Sequence, residues 1–217
     1  MKRYYHIQNL DSKNKLWLKN ESVNINGKKI NNYYRDLFND TGEKIENTDL
    51  FIFAKQKDDE VNAMPLILDR NSPELLNQYI SKSSIYGHLS HVFNSTLSQY
   101  LKWVREEIFE NYRKEKFPHL PSRKTCLWLC EQKDLEKWLG ILYPHNRKKI
   151  IEVSLAKNAK IHCGNASLII SETLNISDYN ILAKKYWQGK MHIDCEVETL
   201  FEGRFTVINE FNNLSEI

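Results

Sequence analysis

The sequence predicts an α+β fold, on three observations. Short runs of β-forming residues are spread along the chain without a regular βαβ rhythm, one long stretch repeats apolar residues at helical steps, and no repeat, low-complexity tract or linker interrupts them. The 217 residues suit a single domain over 1–217 with a helical insertion at about 72–116.

Arg3 to Gln8 is rich in β-formers and starts the domain as a short strand. Residues 9–49 are polar, with Asn26-Gly27 and Thr41-Gly42 marking turns. Leu50-Phe51-Ile52-Phe53 reads equally as a buried strand or a helical turn, because so short a run carries no period. Ser72-Pro73-Glu74 signals a helix over 73–81, with serine as cap and proline in the first turn. Over 85–115, Leu89, Val92, Phe93, Leu97, Tyr100, Leu101, Val104, Ile108 and Tyr112 make the apolar stripe of an amphipathic helix. Pro118 and Pro121 stop it, since proline lacks a donor and biases its predecessor away from the α region. Beyond them the chain predicts a strand at Lys124–Cys130, a helix at Asp134–Leu142 and a strand at Ile150–Leu155. A helix at Ser177–Tyr186 capped by Ser177 and a strand pair over 193–209 about Gly203 complete the reading.

Composition excludes several classes. With 41% hydrophobic and 12% aromatic residues there is material for a core, so intrinsic disorder is not predicted. No run of about 18 apolar residues occurs and no apolar stretch follows Met1-Lys2-Arg3, so no membrane partner is predicted. Four cysteines are too few for a disulfide scaffold, and a cytoplasmic location is expected. The net charge of +3 is too mild to announce a nucleic-acid binder, although Lys28-Lys29, Arg147-Lys148-Lys149 and Lys184-Lys185 offer local phosphate contacts. None of the seven glycines makes a G-x-G, which excludes glycine-rich phosphate loops. No metal site is predicted: Cys126 and Cys130 share a strand face at a separation too long for easy joint coordination, His162-Cys163 and Cys195 stand apart, and His88 and His91 lack a carboxylate partner.

Three segments carry the chemistry. The first is Tyr4-Tyr5-His6-Ile7, a histidine within an aromatic strand. The second runs from Pro121-Ser122-Arg123 through Trp128 to a helix bearing Trp138. The third is Tyr186-Trp187-Gln188-Gly189 followed by Glu196-Val197-Glu198-Thr199-Leu200-Phe201-Glu202-Gly203. A carboxylate beside a sugar stabilises the cation formed when a glycosidic bond breaks, as Glu198 is suited to do. Aromatic faces such as Trp128 and Trp138 hold a cationic ring by stacking, and Arg123 offers a planar fork to a pyrophosphate. Read without any resemblance, the same residues are core aromatics, a structural histidine, a surface arginine and an exposed acidic strand face.

In their order these segments resemble the ADP-ribosyltransferase-like superfamily, in particular its diphtheria-toxin-type branch with a His–Tyr–Glu signature, and within it an uncharacterised bacterial family. The resemblance covers about residues 4–10 and 117–208, with Trp128 and Trp138 standing where that branch has tyrosines. It implies a split β-sheet core, NAD as the substrate, Glu198 as the catalytic carboxylate, His6 on a ribose, and Arg123, Trp128 and Trp138 as further cofactor-binding residues. It also implies a macromolecular acceptor, RNA, DNA or protein, and a toxin or anti-phage role with an inhibitor (antitoxin) protein as partner. The competing expectation is a catalytically degenerate ADP-ribosyltransferase-like binding module, which the two tryptophans favour.

Overall fold

The computed structural model describes residues 2–12, 15–37, 96–142, 145–169, 175–190 and 196–217. The chain divides into two compact units, Met1–Tyr34 with Arg105–Ile217, and Arg35–Val104. In the second unit the described residues 35–37 and 96–104 are helical. The expected features at 41–42, 50–53, 73–81 and 85–95, with His88, His91 and Cys195, lie outside the described residues.

The first unit is α+β, built on a small closed, barrel-like sheet. Its strands are β1 (Tyr4–Asn9), β2 (Ser22–Ile25), β3 (Leu127–Glu131), β4 (Lys148–Leu155), β5 (Lys160–Asn165) and β6 (Val197–Phe211). The order β2-β6-β3-β1-β4 closes because β4 also pairs with β6, and β5 joins the first half of β6 on the edge opposite β3. Every pairing is antiparallel.

Closure depends on one residue. The first half of β6 pairs with β5 as far as Glu202 and with β3 as far as Phe201, and its second half pairs with β4 from Phe205. Between them Gly203 has φ +146°, and a Cβ there would come within 2.9 Å of the Ala159 side chain. Only glycine allows that backbone and that approach, so the strand bends and changes partners without breaking. The expected strand pair over 193–209 is therefore a single bent strand.

Alternation along the strands separates two faces. Leu127 and Leu129 from β3, Ile151 and Val153 from β4, and Phe201, Phe205 and Val207 from β6 form the inner core. The opposite face of β3 and β6 carries Trp128 and Leu200, which pack with Cys126, Phe109, Ala183, Tyr186 and Trp187. Phe109 comes from α1, the helical residues 105–116, while Ala183, Tyr186 and Trp187 come from α3 (Ile176–Trp187). A third cluster sets Tyr5, Ile7 and Ile150 against Leu135 of α2 (Leu135–Ile141).

Several elements depart from expectation. The cap of α3 is Asn175, whose side chain accepts from the Asp178 N–H, and Ser177 lies inside the helix. Strand β3 starts at Leu127, and Arg123 to Thr125 form a turn fixed by the Ser122 carbonyl, which accepts from the Thr125 and Cys126 N–H groups. β2 and β5 are strands that composition gives no reason to expect. The inward face of α1 is Arg105, Glu106, Phe109, Glu110 and Arg113, all buried, in place of the expected Val104, Ile108 and Tyr112. Four of these five are charged, and they tolerate burial because they pair: Arg113 with Glu110 at 2.8 Å, Arg105 with Glu106 at 2.9 Å. Cys126 and Cys130 share a face but enter separate clusters, each thiol donating to a backbone carbonyl.

Candidate functional site

Glu198 lies at the start of β6, opposite Gly164 of β5. It is 7% exposed, as an ionised side chain is only when its charge is matched. The match comes from the turn before β3: Arg123 ion-pairs with Glu198 Oε1 through Nη1. The Tyr186 hydroxyl donates to the same oxygen at 2.5 Å and accepts from Arg123 Nη1 at 2.9 Å. Both bonds fall on Oε1, so among the described residues Oε2 takes none.

Arg123 is held on its other side by α1. Its Nε and Nη2 donate to the two carboxylate oxygens of Glu106 at 2.8 and 3.2 Å, a fork-to-fork pair, and Arg105 donates to Glu106 as well. Two arginines and two glutamates thus form a network of zero net charge. Burial alone would raise the Glu106 carboxyl, but the Arg123 and Arg105 guanidiniums hold it below its ordinary value. Burial of the Tyr186 phenol, with Glu198 against it, pushes that group far up, so it remains a donor at every physiological pH.

Tyr186 is fixed from all sides. Its ring lies over Gly164, where a Cβ would come within 2.2 Å, and it packs on Phe109, His162 and Trp187. His162 Nε2 donates to the Tyr186 carbonyl at 3.1 Å, and the Trp187 indole donates to the Phe109 carbonyl at 2.8 Å. The turn carrying Arg123 is pinned in the same way. The Asn31 side chain donates to the carbonyls of Arg123 and Cys126, its N–H donates to the Lys124 carbonyl, and its Oδ1 caps the Tyr34 N–H.

The five residues singled out in the sequence form one chain of contacts. His6 Nδ1 donates to the Trp128 carbonyl at 2.8 Å, and the Arg123 guanidinium lies 5.9 Å from the Trp128 ring. Arg123 bonds Glu198, and the Trp138 indole donates to the carbonyl of Val197, next to Glu198, at 3.0 Å. Burial lowers the His6 pKa to about 4, against the opposing pull of the Trp128 carbonyl, so the ring is neutral at pH 7. With its proton on Nδ1, Nε2 carries a lone pair that takes no hydrogen bond among the described residues.

The expected surroundings differ in three respects. Arg123 is buried, with its fork already taken by Glu106. Trp138 packs beside the cluster of Tyr5, Cys130 and Leu135, and the ring that meets Trp128 is Tyr33. Glu198 does not lie on an exposed acidic face, and its strand neighbours Glu196 and Glu202 pair separately with Lys137 and Lys160. Glu106 and Tyr186 are the partners that sequence reasoning missed. The signal for Tyr186 was its place three residues before Gly189, and Glu106 left none, since it lies off the apolar stripe.

No group of three or more candidate metal ligands exists among the described residues, and none of their helices is long and apolar enough to cross a membrane. No curated protein matches the chain. Residues 4–213 match the family model described as "Protein of unknown function (DUF2441)", and the chain belongs to that family.

Proposed function

We propose that the chain is an NAD-dependent ADP-ribosyltransferase that passes ADP-ribose to a macromolecular acceptor, a nucleic acid or a protein. The observation that supports this reading is the convergence of His6, Arg123, Trp128, Trp138 and Glu198, drawn from segments up to 192 residues apart, on the start of β6. The reaction breaks the bond between nicotinamide nitrogen and ribose C1′, joins C1′ to the acceptor's nucleophilic atom, and releases nicotinamide and the acceptor's proton. Glu198 contributes through Oε2, which is available to a ribose hydroxyl and to the positive charge growing on the sugar, while Oε1 is fixed by Arg123 and Tyr186. His6 Nε2 accepts from a hydroxyl of the second ribose, Trp128 offers a π-face to the cationic ring, and Trp138 anchors the strand that presents Glu198. Nicotinamide release from labelled NAD by the wild type, with loss in Glu198→Gln, tests the reading.

A second reading, a catalytically degenerate binding module, is favoured by one observation. Glu198 is almost fully buried and Arg123 has both edges occupied, which is also how a purely structural ion network looks. It predicts that Glu198→Gln leaves binding of the partner unchanged and that no nicotinamide appears.

A further inference from the structure

Tyr33 touches both Trp128 and Arg105 of the charged network. The residue is 43% exposed although its hydroxyl is buried, while its neighbour Tyr34 is buried and bonded to Glu107. Its centroid lies 5.7 Å from that of Trp128 with the planes at 77°, and its hydroxyl accepts from Arg105 Nη2 at 3.5 Å. The segment that carries it is held by Asn31 on the Arg123 turn and by Lys124, which lies over the Tyr34 ring at 4.6 Å and bonds Glu107.

An exposed aromatic residue at the start of a helical segment that Asn31 pins is already ordered, which is the condition for stacking a ligand at low entropic cost. Two rings near a right angle make a corner. A planar ligand lying on one face turns its edge to the other, the two arrangements that aromatic quadrupoles favour. Because the arginine and glutamate charges beneath cancel, a cationic ring meets no net repulsion there and gains from both π-faces.

We propose that Tyr33 is the second aromatic wall of the site and, with Trp128, receives the planar cationic ring of the substrate, the role the resemblance gives to Trp138. The inference rests on the ADP-ribosyltransferase reading and assigns its ring-binding residue. Burial of the Tyr33 hydroxyl, with Glu106 near it, keeps the phenol protonated, so the wall stays uncharged across the working pH range.

The test is a titration of the full-length chain with NAD, followed by tryptophan fluorescence, in wild type, Tyr33→Ala and Tyr33→Phe. Because Tyr33 is an exposed residue, both variants are expected to fold, with circular dichroism spectra matching the wild type. The expected result is NAD binding weakened by at least about tenfold in Tyr33→Ala and within about threefold of wild type in Tyr33→Phe. Wild-type affinity in Tyr33→Ala overturns the inference and leaves the ADP-ribosyltransferase reading standing. Equal loss in the two variants also overturns it, because the hydroxyl and not the ring face would then carry the contact. A wild type that does not bind NAD overturns both.

Discussion

Arg123 and Glu198, 75 residues apart, form an ion pair in which the arginine is 4% and the glutamate 7% exposed. Neither residue is a surface charge. The burial of Glu198 is matched by Arg123, and that of Arg123 by Glu198 on one side of the guanidinium and Glu106 on the other.

Asymmetry follows from that arrangement. Arg123→Met strips two buried carboxylates of their main partner, and a loss of about 3–5 kcal/mol is expected. Glu198→Gln leaves Arg123 in its fork with Glu106 and keeps an acceptor near Tyr186, so roughly 1–2 kcal/mol is expected. Urea unfolding of the two variants checks the order, and the reverse order contradicts the network.

Gly164 and Gly140 make a matched pair. A Cβ at Gly164 meets the Tyr186 ring within 2.2 Å, whereas one at Gly140 meets nothing within 4 Å. Gly164→Ala therefore costs about 1–3 kcal/mol and displaces the Tyr186 hydroxyl from Glu198, while Gly140→Ala, in α2, stabilises by up to roughly 1 kcal/mol. Thermal melts separate them by the sign of the shift.

Tyr186→Phe removes one donor from Glu198 Oε1 without emptying the space over Gly164. If the hydroxyl positions the carboxylate, kcat for nicotinamide release falls by at least about tenfold with KM for NAD little changed, because the substrate-facing rings are untouched. A rise in KM at constant kcat would place Tyr186 in uniform substrate binding instead.

Acid weakens the fold in a defined window. His162 is buried and His6 half-buried, and each stays neutral with its pKa lowered from 6.5 to about 4, chiefly by desolvation. Between those values the unfolded chain takes up protons that the native protein refuses, so stability falls as pH drops from 6.5 toward about 4. At the bottom of the window each histidine costs roughly 3 kcal/mol. Urea midpoints across that range test this, and His162→Phe should reduce the slope.

Much of the fold was legible because local chemistry and tertiary environment agree in it. β1, β4, α2 and the stop at Pro118 follow from β-formers, helical steps and proline. β5 escaped because its buried residues are His162, Gly164 and Asn165, which signal no strand and are explained only by Tyr186 packing above them. α1 misled because its inward face is charged: Arg113 pairs locally with Glu110 and Arg105 with Glu106, but the Arg123 that completes the Glu106 site is 17 residues away and invisible to periodicity. The same limit applies to the site. Glu198, Arg123, Trp128, Trp138 and His6 stood out by type and order, but their connection through the Trp128 and Val197 carbonyls depends on strand register. Tyr33 had only a polar neighbourhood around it and became visible through its contact with Trp128.

The central claim is that Glu198 supports transfer of ADP-ribose. The most direct measurement follows NAD labelled on both nicotinamide and ADP-ribose in a bacterial lysate, which supplies natural acceptors, with wild type and Glu198→Gln. The account predicts free nicotinamide and ADP-ribose label in nuclease-sensitive or protease-sensitive material with the wild type alone. Intact NAD with both proteins, each shown to be folded, would contradict it.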